Sequence, residues 1–69
     1  METKHNIPIT PRDRLMYAWQ MSMELVLQYR QFAQECENDP QAEKLLKEIA
    51  ENECVHASKL LEELHRLSD

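Results

Sequence analysis

The chain has 69 residues, a formal net charge of −5, two cysteines and no glycine. A chain of this length forms one domain at most, and compact folds of this size usually need a metal, a cross-link or a partner chain for stability. Because tight hairpins, P-loops and dinucleotide-binding loops depend on glycine, its absence predicts an all-α protein. The acidic balance, without any run of basic residues, argues against nucleic acid or an anionic membrane surface as a partner.

The apolar segments predict neither a membrane span nor a signal peptide. The longest nearly apolar stretch, residues 15–27, is interrupted by three polar residues and is too short to cross a bilayer. The first ten residues lack the apolar core of a signal peptide. Cys36 and Cys54 are therefore expected to be reduced thiols, and we expect a cytoplasmic protein that does not contact a membrane.

Residues 1–9 show no helical periodicity and contain an Ile-Pro pair, which favours extended backbone. We predict an extended N-terminal arm here, followed by a single helical domain over residues 10–69. Thr10 is a capping residue, Pro11 suits the first position of a helix, and Asp13 suits the positive end of the helix dipole. These three residues predict that helix 1 begins at Pro11, and its pattern extends to about residue 37.

A turn signal, Asn38-Asp39-Pro40, interrupts the helical pattern. Asn38 tolerates the left-handed conformation of a helix C-cap, Asp39 can cap the next helix, and Pro40 can begin it. Helix 2 is predicted over about residues 40–67. Each helix would be about 40 Å long at 1.5 Å per residue, and so short a turn folds the two helices into an antiparallel hairpin.

Both predicted helices carry an apolar stripe at helical spacing. The stripe of helix 1 consists of Leu15, Ala18, Trp19, Ser22, Leu25, Val26, Tyr29, Phe32, Ala33 and Cys36. The stripe of helix 2 consists of Ala42, Leu45, Leu46, Ile49, Ala50, Glu53, His56, Ala57, Leu60, Leu64 and Leu67. Three methionines and a leucine of helix 1 lie outside the centre of its stripe, so one hairpin leaves apolar surface uncovered. This pattern predicts that two hairpins pair into a four-helix bundle, as a homodimer or a higher even oligomer.

One charged residue stands in the apolar stripe of helix 2. Glu53 lies between Ile49 and Leu60, and His56 follows it one turn later. Burying an ionised carboxylate without compensation is costly, so another group must balance its charge. The Glu-x-x-His spacing places a carboxylate and an imidazole side by side, as in di-metal carboxylate bundles. The competing interpretation is a structural pair, in which Glu53 interacts with His56 or with a cation of a partner chain.

Residues 22–65 resemble one half of a ferritin-like, rubrerythrin-type bundle. The resemblance rests on Tyr29-x-x-Phe32-Ala33, the Asp39-Pro40 turn, the leucine-rich run into Ile49-Ala50, and Glu53-x-x-His56-Ala57. In length the chain is most similar to the encapsulated ferritins, in which a two-helix protomer dimerises to rebuild the bundle and its di-iron site. The resemblance implies iron binding, with Glu53 as bridging ligand and His56 as terminal ligand, and, if the centre is active, a ferroxidase that oxidises iron(II). No shell-targeting extension is recognised before Asp69, so an encapsulin shell is not expected as a partner.

The family pattern also needs a carboxylate on helix 1, and two residues compete for this position. Glu24 would be level with Glu53 in the hairpin, but it projects away from the centre of the apolar stripe. Ser22 has the required phase, and the rubrerythrin-type spacing from Tyr29 leads to it, but a neutral hydroxyl is a weak ligand for a hard cation. Glu24 is therefore the candidate third ligand, with a solvent-exposed role as its alternative. If Ser22 faces inward instead, the site would suit a single ion such as zinc.

A second class of function remains open. In it, the hairpin binds no metal and uses its broad apolar face for self-association or for docking to another protein. Glu53 and His56 would then set the register of the interface. Metal content separates the two classes.

Overall fold

The computed structural model describes residues 8–68, and the regular secondary structure within them is entirely α-helical. Helix α1 spans Pro11–Glu35 and helix α2 spans Pro40–Ser68, and the two pack against each other as an antiparallel hairpin. The Cα atoms extend only 10 Å in the thinnest direction, so the hairpin is a single layer of two helices. The predicted all-α class is confirmed, whereas the predicted N-terminal arm lies largely outside the described residues.

Helix α1 begins as the sequence predicts, with a capping box around its first turn. The Asp13 amide donates a hydrogen bond of 3.1 Å to Oγ1 of Thr10, and the Thr10 amide donates one of 3.1 Å to Oδ2 of Asp13. Pro11 occupies the first turn, where a missing N–H costs nothing. Two amides that the helix cannot satisfy internally therefore gain partners.

Substituting the cap should weaken the first turn of α1. We expect Thr10→Ala to lower the free energy of unfolding by about 1 kcal/mol, because the Asp13 amide loses its acceptor, while Thr10→Ser should leave it nearly unchanged.

The same cap makes stability depend on pH. The backbone hydrogen bond from Thr10, followed by the hydroxyl of the same residue, lowers the pKa of Asp13 below its ordinary 3.8. Because the pKa of Asp13 is lower in the folded chain, its carboxylate stabilises the fold at any pH above the unfolded-state pKa. This stabilisation is lost as the pH falls through the lower, folded-state pKa. Urea denaturation at neutral and acidic pH measures both effects, and equal unfolding midpoints for Thr10→Ala and the unsubstituted chain at neutral pH would contradict the prediction.

The turn between the helices differs from the sequence prediction in one respect. Helix α1 ends at Glu35, two residues before the predicted end. None of residues 8–68 adopts a positive φ angle, so the left-handed C-cap considered for Asn38 is wrong. The chain reverses instead through a turn in which the Asp39 amide donates to the Cys36 carbonyl at 2.9 Å. Oδ1 of Asp39 then accepts from the Ala42 amide at 3.3 Å, and this cap begins α2 at Pro40 as predicted.

Small side chains form the seam between the two helices. The buried residues of α1 are Ser22, Val26 and Ala33, and those of α2 are Ala50, Ala57 and Leu64. The three on α2 recur every seven residues, the spacing at which one helix keeps the same stripe against a single neighbour. Because most of these side chains are small, the hairpin encloses little apolar volume, and Val26 is the largest fully buried side chain.

The hairpin therefore has two flat faces, one on each side of the seam. Arg30 contacts Cys54 across one of them, and a groove on this face is lined by Trp19, Met23, Cys54, Ala57, Ser58 and Leu61. We call it the Cys54 face. By helical geometry the opposite side, here called the His56 face, carries Leu25 and Phe32 of α1 with Ile49 and His56 of α2.

Both faces expose large apolar side chains to solvent. On the His56 face, Leu25 is 36% and Phe32 42% exposed, and Phe32 packs edge-on against Tyr29 with the ring centroids 6.0 Å apart. On the Cys54 face, Met23 and Leu61 are similarly exposed. Neither α1 nor α2 has the length and apolar character together that crossing a bilayer requires. The apolar surface of the described hairpin thus exceeds what its own two helices cover.

Candidate metal centre

Glu53 lies close to the middle of α2, one residue before the midpoint of the helix. Its side chain is only 18% exposed. The axial alignment of the two helices follows from the groove on the Cys54 face. It is lined by Trp19 together with Ser58, and by Met23 together with Cys54. Glu53 is accordingly level with the part of α1 between Ser22 and Val26. Most of the side chain of Glu53, which the sequence places in an apolar stripe, is thus withdrawn from solvent.

The imidazole of His56 lies beside the carboxylate of Glu53. Nδ1 of His56 lies 3.4 Å from Oε1 of Glu53, one turn apart on α2. In contrast to Glu53, the imidazole is 62% exposed and belongs to the open His56 face. With Nδ1 beside the carboxylate, Nε2 is the ring nitrogen left to bind another group, an arrangement typical of metal-binding histidines.

The two candidates on α1 occupy different sides of that helix. Ser22 is 7% exposed and lies in the seam toward α2. Glu24 is exposed, and two residues of helix rotation place it on the side of α1 away from α2. Ser22 therefore faces α2 at about the height of Glu53, whereas Glu24 faces away from α2.

One chain by itself does not assemble a set of metal ligands. Within residues 8–68, no three side chains of histidine, cysteine, aspartate or glutamate lie close enough together to hold an ion. Glu53 and His56 are brought together, and Glu24 does not join them. Any metal ion bound here would need further ligands from water or from a second chain.

A contact between Arg30 and Cys54 was not expected from the sequence. Nη2 of Arg30 donates to Sγ of Cys54 at 3.8 Å, across the Cys54 face. Cys54 follows Glu53 directly but points about 100° away from it, so the thiol and the Glu53–His56 pair open on opposite faces. The helical phase indicates that Cys54 lies beside the seam, but the reach of a long arginine side chain is not readable from spacing.

Comparisons with protein-family models, with curated proteins and with solved structures found no match to this chain. The resemblance to the ferritin-like proteins therefore stays a prediction. The features of the hairpin that bear on function are the Glu53–His56 pair and the uncovered faces.

Proposed function

We propose that two copies of this chain pair through their His56 faces into a ferritin-like four-helix bundle that binds iron between them. Glu53 and His56 of both copies are the proposed ligands. The observation that carries the proposal is the position of Glu53, which is 18% exposed in the middle of a helix with an imidazole beside it. A divalent metal ion compensates the charge of a carboxylate in such a position more strongly than a single imidazole does.

The central position of Glu53 supports a site shared by two copies. When two antiparallel hairpins stack face to face about a twofold axis across the helices, residues near the middle of α2 come close to their own copies. Stacked helices are about 8–10 Å apart, a distance that a glutamate and a histidine from each side can bridge together. Glu53 and His56 lie within two residues of that midpoint.

The exposed apolar side chains support a second copy as the occupant of the His56 face. Phe32 is 42% exposed there, and Leu45 and Met21 at the margins of the face are 56% and 46% exposed. Full burial of a large apolar side chain contributes about 1.5–3 kcal/mol. Covering the exposed half of each of these side chains contributes roughly half as much, and a symmetric dimer gains each contribution twice. The same face on both copies makes the self-complementary contact that a twofold dimer needs.

Oxidation of iron(II) is a separate part of the proposal. Ferroxidase activity of the kind that the resemblance implies uses two iron ions held close together, and these need carboxylates from all four helices. Glu24 is the candidate that α1 offers at the level of Glu53, and it is exposed on the far side of that helix. The present geometry supports binding of iron more strongly than its oxidation.

Sedimentation and anaerobic iron(II) titration of the full chain test the proposal. We expect a dimer or a multiple of it at micromolar concentration, together with saturable iron binding. A folded, monodisperse species of 8.2 kDa would contradict the proposed pairing. A dimer that binds no iron would leave the hairpin as a metal-free association module, which is the alternative function.

The substitution Glu53→Leu distinguishes the two functions through stability. In the absence of metal we expect it to raise the free energy of unfolding, because an apolar side chain replaces a charged side chain that is largely withdrawn from solvent. Added iron(II) should stabilise the unsubstituted chain, since a ligand that binds only the folded state adds to its stability, and should not stabilise the variant. Thermal unfolding with and without iron(II) measures both. Stability of the unsubstituted chain that is indifferent to iron(II) would favour the metal-free function.

A further inference from the structure

We infer that the shared site holds a single four-coordinate divalent ion for each pair of chains, and not the two-iron centre that the resemblance implies. The inference rests on the proposed function, because it assumes that two copies bring their Glu53 and His56 side chains together. The observation behind it is a mismatch on α1. Ser22, 7% exposed, faces the level of Glu53, whereas Glu24 is exposed on the opposite side of the helix.

The number of donor groups limits the capacity of the site. Each chain brings together one carboxylate and one imidazole, and among residues 8–68 no third side chain of a ligating type joins them. Two copies therefore supply two carboxylates and two imidazoles, which fill the four positions of one tetrahedral ion. Dinuclear bundles use two further glutamates, one from each of the remaining helices. In this chain the corresponding place on α1 carries the hydroxyl of Ser22.

The charge of the site also indicates one ion for each pair of chains. The two Glu53 carboxylates cancel the charge of one divalent ion, and the imidazoles bind as neutral ligands. A second ion would leave two positive charges without counterions between faces that carry Leu25 and Ile49, and uncompensated charge in such surroundings is strongly disfavoured. Imidazole together with carboxylate suits both zinc(II) and iron(II), so the donor set defines the class of ion and not the element.

Native mass spectrometry of the full chain counts the ions directly. In one arm the protein is equilibrated with zinc(II), and in the other with iron(II) under anaerobic conditions. We expect a dimer carrying one ion in at least one arm, hence half an ion per chain. Two ions per dimer in either arm would overturn the inference and leave the proposed site intact. A dimer without any bound ion in both arms would overturn both.

Cobalt(II) adds a readout of coordination. A four-coordinate cobalt(II) ion absorbs visible light much more strongly than a six-coordinate one, and the two geometries are thereby distinguished. We expect the intense spectrum to saturate at half an equivalent per chain. Weak absorption at every ratio would contradict a tetrahedral site.

Two substitutions on α1 test the role assigned to Ser22. Ser22→Glu adds the missing carboxylate at the level of Glu53 and should raise the capacity from one ion to two ions per dimer. Glu24→Ala is the matched control, and it should leave the stoichiometry and the affinity unchanged because that carboxylate is exposed away from α2. Loss of an ion in Glu24→Ala would place Glu24 in the site and overturn the inference. If Ser22→Glu fails to fold, the ion count of Glu24→Ala still tests whether a carboxylate of α1 belongs to the site.

Discussion

Replacing Glu53 by alanine is expected to lower the affinity for iron(II) at least about 100-fold. Loss of groups that only support metal ligands already costs about 10- to 100-fold, and here a proposed ligand is removed twice in every dimer. The remaining imidazoles carry no charge to balance the ion. Anaerobic titration with iron(II) measures the dissociation constant, and sedimentation of the same sample establishes that the variant still associates.

The chain contains a close control for this substitution. Glu51 is a carboxylate on the same helix, two residues earlier, and it is exposed. Glu51→Ala should bind iron(II) as the unsubstituted chain does, so that an effect of net charge alone is excluded. For the imidazole, His56→Ala is compared with His65→Ala, because His65 is exposed near the end of α2. Equal iron affinity for Glu53→Ala and Glu51→Ala would remove the metal site from the proposal.

Placing a charge on the His56 face is expected to separate the proposed dimer. Phe32→Glu should raise the dimer dissociation constant at least about 10-fold. The 42% of Phe32 that is exposed in the hairpin loses its burial in both copies, at about 0.6–1.3 kcal/mol each, and 1.4 kcal/mol is a factor of ten. Two new carboxylates would also be brought into an apolar interface, which adds to the cost. Sedimentation over a range of concentrations measures the change.

The control variants assign this effect to one face. Val55 is 51% exposed on the side of α2 away from both the seam and the His56 face, so Val55→Glu should leave association unchanged. Met23 is 36% exposed on the Cys54 face, and Met23→Glu tests that surface. If Met23→Glu dissociates the dimer and Phe32→Glu does not, the copies pair through the Cys54 face, and the proposed shared site is wrong.

The positions at which the helices begin could be predicted from the sequence because they depend on local chemistry. The Thr10–Asp13 capping box and the Asp39 cap each act within three residues of the helix start. No distant contact is needed to place them. The end of α1 was less predictable, since the way the chain reverses at Cys36 depends on where α2 has to pack.

The helical period also indicated that Glu53 and His56 share a broad stripe, but their burial could not be read from it. The stripe on α2 is wider than the strip that one neighbouring helix covers. In the hairpin the covered strip follows Ala50, Ala57 and Leu64, and Glu53 lies within it, whereas His56 lies at its open side. The 18% and 62% exposures of the two partners are therefore a consequence of packing.

The sequence by itself determined the all-α class, the two helix starts and the pairing of a carboxylate with an imidazole at i and i+3, because each follows from local propensity and helical spacing. It could not choose between Ser22 and Glu24, because position along the helix favoured Glu24 and the direction of the apolar stripe favoured Ser22. The tertiary structure decided which of them faces α2. Ser22 is buried in the seam together with Val26 and Ala33, and the rotation of α1 that buries it turns Glu24 outward to solvent.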